Sequence, residues 1–123
     1  MIVLLGVAAA GAIGAPVRYL ADAYVQERAP GAFPRGTLLV NVTGSLLLGV
    51  ITGLALYHGL GKVPGTIAGT GFCGAYTTFS TFSFETVRLV EDGSLTEAAL
   101  NVGASLVVGL LAAAAGIALA AAF

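Results

Sequence analysis

The residues whose types and spacing offer chemistry lie between Gly71 and Phe84, in the run GFCGAYTTFSTFSF. Glycines stand at 71 and 74, hydroxyls at 77, 78, 80, 81 and 83, and phenylalanines at 79, 82 and 84. The chemistry such a set offers is coordination: hydroxyl donors for an anion, carbonyl oxygens for a cation, and ring edges that carry partial positive charge. Gly71 and Gly74 weaken a helix and β-branched Thr77 and Thr78 follow, which predicts a helix break between about Gly74 and Thr78. Unwound backbone of this kind exposes carbonyls that hold cations and amides that face anions. Beyond the break, Phe79 and Phe82 are three residues apart and share a face. Two rings turned edge-on attract an anion weakly, and ordinary aromatic packing is the alternative reading of the same pair.

The elements that must position this run follow from composition. The chain has 123 residues, 58% of them hydrophobic and 9% charged, with a net charge of −1, and its mean hydropathy is +0.99. A water-soluble domain carries roughly 25% charged residues. There is too little charge here to cover a surface facing water, so lipid is the solvent. The charge balance gives no electrostatic case for nucleic acid. Cys73 is the only cysteine, which excludes an internal disulfide and argues against a cysteine-based metal site. No grouping of side chains reads as a catalytic constellation, and the chain reads as a non-enzyme.

Four apolar blocks emerge, over residues 2–23, 36–57, 65–90 and 98–123. Each has the ~20 residues needed to cross roughly 30 Å of hydrocarbon at about 1.5 Å per residue. The fourth would reach about 39 Å if fully helical, which implies tilt or a protruding end. Turn signals separate the blocks: Pro30, Gly31 and Pro34 in the first connection, Gly59, Gly61 and Lys62 in the second, Asp92 and Gly93 in the third. The reading is a single all-α, four-span membrane domain with its third helix broken near the middle. The start, MIVLLGVAAAGAIGA, has small residues suited to signal cleavage, but no Lys or Arg precedes Arg18. With four spans, both termini and Lys62 share one side, while Arg28, Arg35 and Arg88 lie toward the other. The positive-inside rule then places the arginine side in the cytoplasm.

Polar residues recur inside the other spans. Thr37, Asn41 and Ser45 follow an i, i+4, i+8 stripe, with Thr52 on the same side. Asn101 and Ser105 repeat the i, i+4 pattern in the fourth span. Such stripes either line an aqueous path or glue helices, an interhelical hydrogen bond in lipid being worth about 0.6 kcal/mol on average. Arg18 is costly within a span unless paired or near the surface, and Asp22 is one turn away. Glu85 is either a pore-vestibule residue or a helix-end charge reaching for water. His58 lies in a connection with no carboxylate or nucleophile beside it. Gly69–Gly74 matches G-x-G-x-x-G, but without a strand–helix context the match is accidental. Gly49 with Gly53, Gly65 with Gly69 and Gly11 with Ala15 form small-xxx-small pairs that let helix backbones approach closely in lipid.

Three stretches, GAIGAPVRY (11–19), GTLLVNVTGS (36–45) and GFCGAYTTFSTF (71–82), resemble the CrcB/Fluc fluoride channels in order and spacing, and the resemblance covers nearly the whole chain. It implies small four-helix subunits that pair antiparallel into a dual-topology dimer with two fluoride pores, in the cell membrane. It implies a structural sodium ion at the dimer centre, held by backbone carbonyls that fall on Gly74 and Thr77. The implied pore residues are Asn41, Phe79 and Phe82, with further polar contacts at Ser80, Thr81 and Ser105. At 101 this chain has Asn where some relatives carry an aromatic hydroxyl. The implied physiology is passive efflux of fluoride trapped after hydrogen fluoride ionises in the cytoplasm. The partner subunit is either a second copy or a paralogous chain, because Arg28, Arg35 and Arg88 bias the charge more than dual topology usually tolerates. A small four-span proton-coupled exporter of cationic drugs is the alternative. It needs a membrane-buried acid, where the first span offers Arg18, with Asp22 near its end.

Overall fold

A computed structural model describes residues 1–123, and every element in it is helical. The order is α1 (Ile2–Arg28), α2 (Arg35–Tyr57), α3 (Lys62–Thr66), a π-helical stretch (Ile67–Cys73), α4 (Gly74–Tyr76), α5 (Phe79–Glu91) and α6 (Leu95–Ala121). Three helices, α1, α2 and α6, are long and apolar enough to cross a membrane, at 27, 23 and 27 residues. Only 16 of 123 residues are buried, and Leu4, Leu20, Leu56, Leu106 and Leu110 are each more than half exposed. A surface of that kind is stable where the surroundings are acyl chains instead of water.

Close backbone approach holds the bundle together. The most extensive packing is between α2 and α6. A side chain at Gly49 would run into the Ala113 carbonyl, and one at Gly116 into the Leu46 carbonyl. Gly53 completes the seam, 2.5 Å being all the space between its missing Cβ and Ala120 Cβ. Gly49 and Gly53 therefore serve contact within the chain. On the other side of the molecule α1 packs against the π-helical stretch and α4. A Cβ at Gly14 would lie 2.6 Å from the Phe72 carbonyl, and one at Gly71 would lie 3.0 Å from Val7 Cα.

The chain turns where backbone chemistry permits. After α5, Gly93 adopts φ +79°; the Ser94 amide donates to the Leu89 carbonyl and the Gly93 amide to Val90. That is a Schellman closure, which a residue with a Cβ fills poorly. The two ends of the bundle are distinct. Gln26, Pro34, Glu85, Arg88 and Asp92 gather around one cavity of ≈ 350 Å³. At the other end His58 Nε2 donates to the Ala120 carbonyl at 2.7 Å, joining the C-termini of α2 and α6.

Candidate ion site at the helix break

The third helical segment is interrupted at Thr77 and Thr78. Their backbones are extended, with φ/ψ of −78°/159° and −148°/117°. β-branched side chains suit that conformation. Gly74 itself is helical, with φ −62° and ψ −36°, so the expected break from about Gly74 to Thr78 narrows to its last two residues. The π-helical turns upstream are an additional distortion, in the stretch that carries Gly69 and Gly71.

Asn41 repairs the break. Its Nδ2 donates to the Thr78 carbonyl at 2.9 Å, and its Oδ1 accepts from the Thr78 amide at 2.7 Å. In a continuous helix the Thr78 amide would satisfy the Gly74 carbonyl. Diverting it to Asn41 releases that oxygen, and the Thr77 carbonyl likewise receives no donor. The side chain of Thr78 then caps α5: its Oγ1 accepts from the Thr81 amide at 3.2 Å and donates to Thr81 Oγ1 at 3.0 Å. Gly44 is needed opposite, because a side chain there would collide with the Thr77 methyl group.

The break separates two cavities that share Thr78. A groove of ≈ 290 Å³ is lined by Asn41, Ser45, Cys73, Gly74, Thr77 and Phe79, among others. Behind it lies a cavity of ≈ 210 Å³ lined by Arg18, Tyr19, Asp22, Thr37, Val40, Thr78 and Thr81. Thr37 Oγ1 donates to Glu85 Oε1 at 3.1 Å, and Glu85 also borders the end cavity with Arg88. The three cavities are related through two residues only, Thr78 between the first pair and Glu85, bonded to Thr37, between the second. Arg18 and Asp22 face the same cavity but do not pair: Asp22 Oδ1 accepts no hydrogen bond and lies against Gly36.

Among the sequence-derived site residues, the structure brings Asn41, Gly74, Thr77 and Phe79 together at one groove. Phe82 joins them through Phe79, with ring centroids 5.8 Å apart and planes at 42°. Ser80 is exposed, its hydroxyl 3.3 Å from Thr78 Oγ1. Thr81 lies in the cavity behind the break. Ser105 stands apart on α6 with a buried Oγ that has no partner. Two connections were missed by residue spacing. Thr43 Oγ1 meets the Tyr76 hydroxyl at 2.9 Å, tying α2 to α4, and Asn101 Nδ2 donates to Thr86 Oγ1 at 2.9 Å, tying α6 to α5. Both pairs are far apart in sequence, so only a three-dimensional arrangement reveals them.

No cluster of His, Cys, Asp or Glu side chains offers a ligand set for a metal. A cation at this site would be held by the freed Gly74 and Thr77 carbonyls, hard oxygen donors of the kind an alkali ion takes.

Apolar helices facing outward and a polar interruption between them define a multi-pass membrane protein. Residues 5–117 match the family described as CrcB-like protein, Camphor Resistance (CrcB), and the chain belongs to that family, not to a family of enzymes. It is 51% identical over 122 residues to the fluoride-specific ion channel FluC 1 of Frankia casuarinae, covering 93% of this chain and 92% of that one. Similarity to FluC 1 of Streptomyces avermitilis is 49% identity, covering 90% of each chain. For FluC 2 of Mycobacterium tuberculosis it is 50% over 109 residues, covering 89% of this chain and 83% of the relative.

Proposed function

We propose that the chain is one subunit of a fluoride-selective passive channel of the cell membrane, with four spans, the third of them broken, that lets the ion leave the cytoplasm down its gradient. The observation that carries the reading is the break at Thr77–Thr78, clamped by the Asn41 amide beside Phe79 and Phe82. Stripping water from a small anion costs several kcal/mol, and a pore must return that energy through donors already in place. One Nδ2 hydrogen of Asn41 is spent on Thr78, which fixes the amide and leaves its second hydrogen for the anion. Ser80 and Thr81 near the break and Ser105 further off on α6 add hydroxyls, and Phe79 and Phe82 add ring edges, which in succession stand in for water without burying a fixed positive charge. Names of relatives that match nearly the full chain support the same ion.

Two subunits paired in opposite orientations complete the site. Phe79 is 79% exposed in the single chain, although it lines the groove at the break. A second subunit seated there, a copy or a paralogue, covers the ring and brings two breaks together. Carbonyls of Gly74 and Thr77 from both then surround one structural sodium ion, whose charge would offset the negative ends of those dipoles. The test is fluoride efflux from liposomes holding the purified protein, read with a fluoride electrode. Rapid efflux of fluoride and not chloride is expected; inserted protein that fails to discriminate between them refutes the proposal.

A further inference from the structure

Asn101 is fully buried, yet half of its amide is unused: Nδ2 donates to Thr86 Oγ1, while Oδ1 has no donor. Leaving a buried acceptor unanswered is a penalty that an apolar side chain of similar size would avoid. The bond that remains has a particular destination. Thr86 Oγ1 passes its own hydrogen to the Phe82 carbonyl at 2.7 Å. That second bond is α5's own i→i−4 back-bond, so the series joins α6 to the α5 backbone one turn from Phe82, the residue whose ring meets Phe79.

Between its capped ends, few buried side chains within the single chain fix the rotation of α5. Leu89 is its only buried residue, and Phe84 and Val87 are 66% and 56% exposed. Two polar bonds at adjacent positions hold it from opposite partners: Thr37 on α2 reaches Glu85, and Asn101 on α6 reaches Thr86. Residues 85 and 86 are about 100° apart around the helix, so the pair resists rolling in either direction. A ring edge attracts an anion only when it is aimed at it, because the ring face carries the opposite partial charge.

We infer that Asn101 is a positioning residue for anion selectivity: acting through Thr86, it sets the rotation of α5 and with it the angle of the Phe82 ring. The inference rests on the channel reading for its consequence and on the hydrogen-bond series for its geometry, and the two are tested separately. Fluoride and chloride efflux would be measured in liposomes for the full chain and for Asn101→Leu, Thr86→Val, Thr86→Ser and the Leu/Val double variant. Each of Asn101→Leu and Thr86→Val should lower the fluoride-to-chloride ratio roughly tenfold or more, since small misplacements of a coordinating group have effects of that order. The double variant should be no worse than either single change, and Thr86→Ser should retain the wild-type ratio. Additive losses, or a normal ratio in Thr86→Val, overturn the series. So does a lowered melting temperature with selectivity intact, which is what packing alone would produce. A ¹⁹F-labelled phenylalanine at position 82 reports the ring without any flux: its resonance should shift in Asn101→Leu and Thr86→Val and not in Thr86→Ser. An unmoved resonance in Asn101→Leu refutes the positioning role even if the wild-type protein conducts no fluoride, an outcome that would separately end the channel reading.

Discussion

Replacing Asn41 by leucine removes at one stroke both hydrogen bonds that stand in for helical partners at Thr78, the 2.9 Å bond to its carbonyl and the 2.7 Å bond from its amide. Thr78 is only 9% exposed, so water is poorly placed to take over. Each buried backbone group left without a partner costs about 1–3 kcal/mol. Leucine matches asparagine closely in size, and in lipid its extra apolar surface gains little, because acyl chains already solvate it. The net destabilisation should be about 2–4 kcal/mol, within the range of two orphaned groups after local relaxation. Circular dichroism melts of the purified protein in detergent should show the midpoint lowered by several degrees, and fluoride efflux from liposomes should vanish. Asn41→Asp separates the two consequences. It keeps an acceptor for the Thr78 amide but turns a charged oxygen toward the Thr78 carbonyl and the anion path, so flux should be abolished while assembly survives. An Asn41→Leu protein that melts like wild type and conducts would show that Asn41 neither clamps the break nor serves the ion.

Other expectations follow from the same geometry. Phe79→Ile removes a ring edge without opening a large void and should abolish fluoride flux with assembly intact; normal flux would take Phe79 out of the path. Gly116→Val forces side-chain atoms onto the Leu46 carbonyl and Val50 amide, a backbone contact that cannot give way. It should prevent α2–α6 packing and lower the yield of folded protein on size-exclusion chromatography, and a wild-type elution profile would contradict the close approach. Replacing sodium with a bulky organic cation during purification should weaken pairing if Gly74 and Thr77 carbonyls bind the ion. Light scattering that reports the same assembled mass without sodium would remove the cation from the proposal.

Three of the four apolar blocks, those in α1, α2 and α6, were legible because crossing lipid demands length and hydropathy over ~20 residues, and local composition carries both. The break was legible in part for a similar reason: paired β-branched Thr77 and Thr78 disfavour helix, while Gly74, expected within it, stays helical. What spacing leaves open is direction. The stripe of Thr37, Asn41 and Ser45 marks one face of α2, yet each member has a different partner: Glu85, the Thr78 backbone, and the Asn41 carbonyl of its own helix. The suggested Arg18–Asp22 pair illustrates the limit of i, i+4 reasoning. A base N-terminal to an acid is the weaker order on a helix, and Asp22 lies instead against the bare backbone at Gly36. The π-helical turns had no local signal either; they occur where α1 presses Val7 and Ala10 against Gly71, a contact between residues some sixty positions apart.

These cases share a physical cause. In lipid, apolar burial does not choose which helix faces meet, so the choice passes to backbone contact at glycine and to a few polar bonds. A glycine or an asparagine announces that such a contact exists without naming its partner. That is why spacing leaves Asn41 open between an aqueous path and helix glue, and only the structure shows it as the clamp on the break. In the proposed channel one amide would serve twice: the bonds that hold Thr78 fix its remaining N–H in a single direction, and an anion there needs a donor that does not have to turn to meet it.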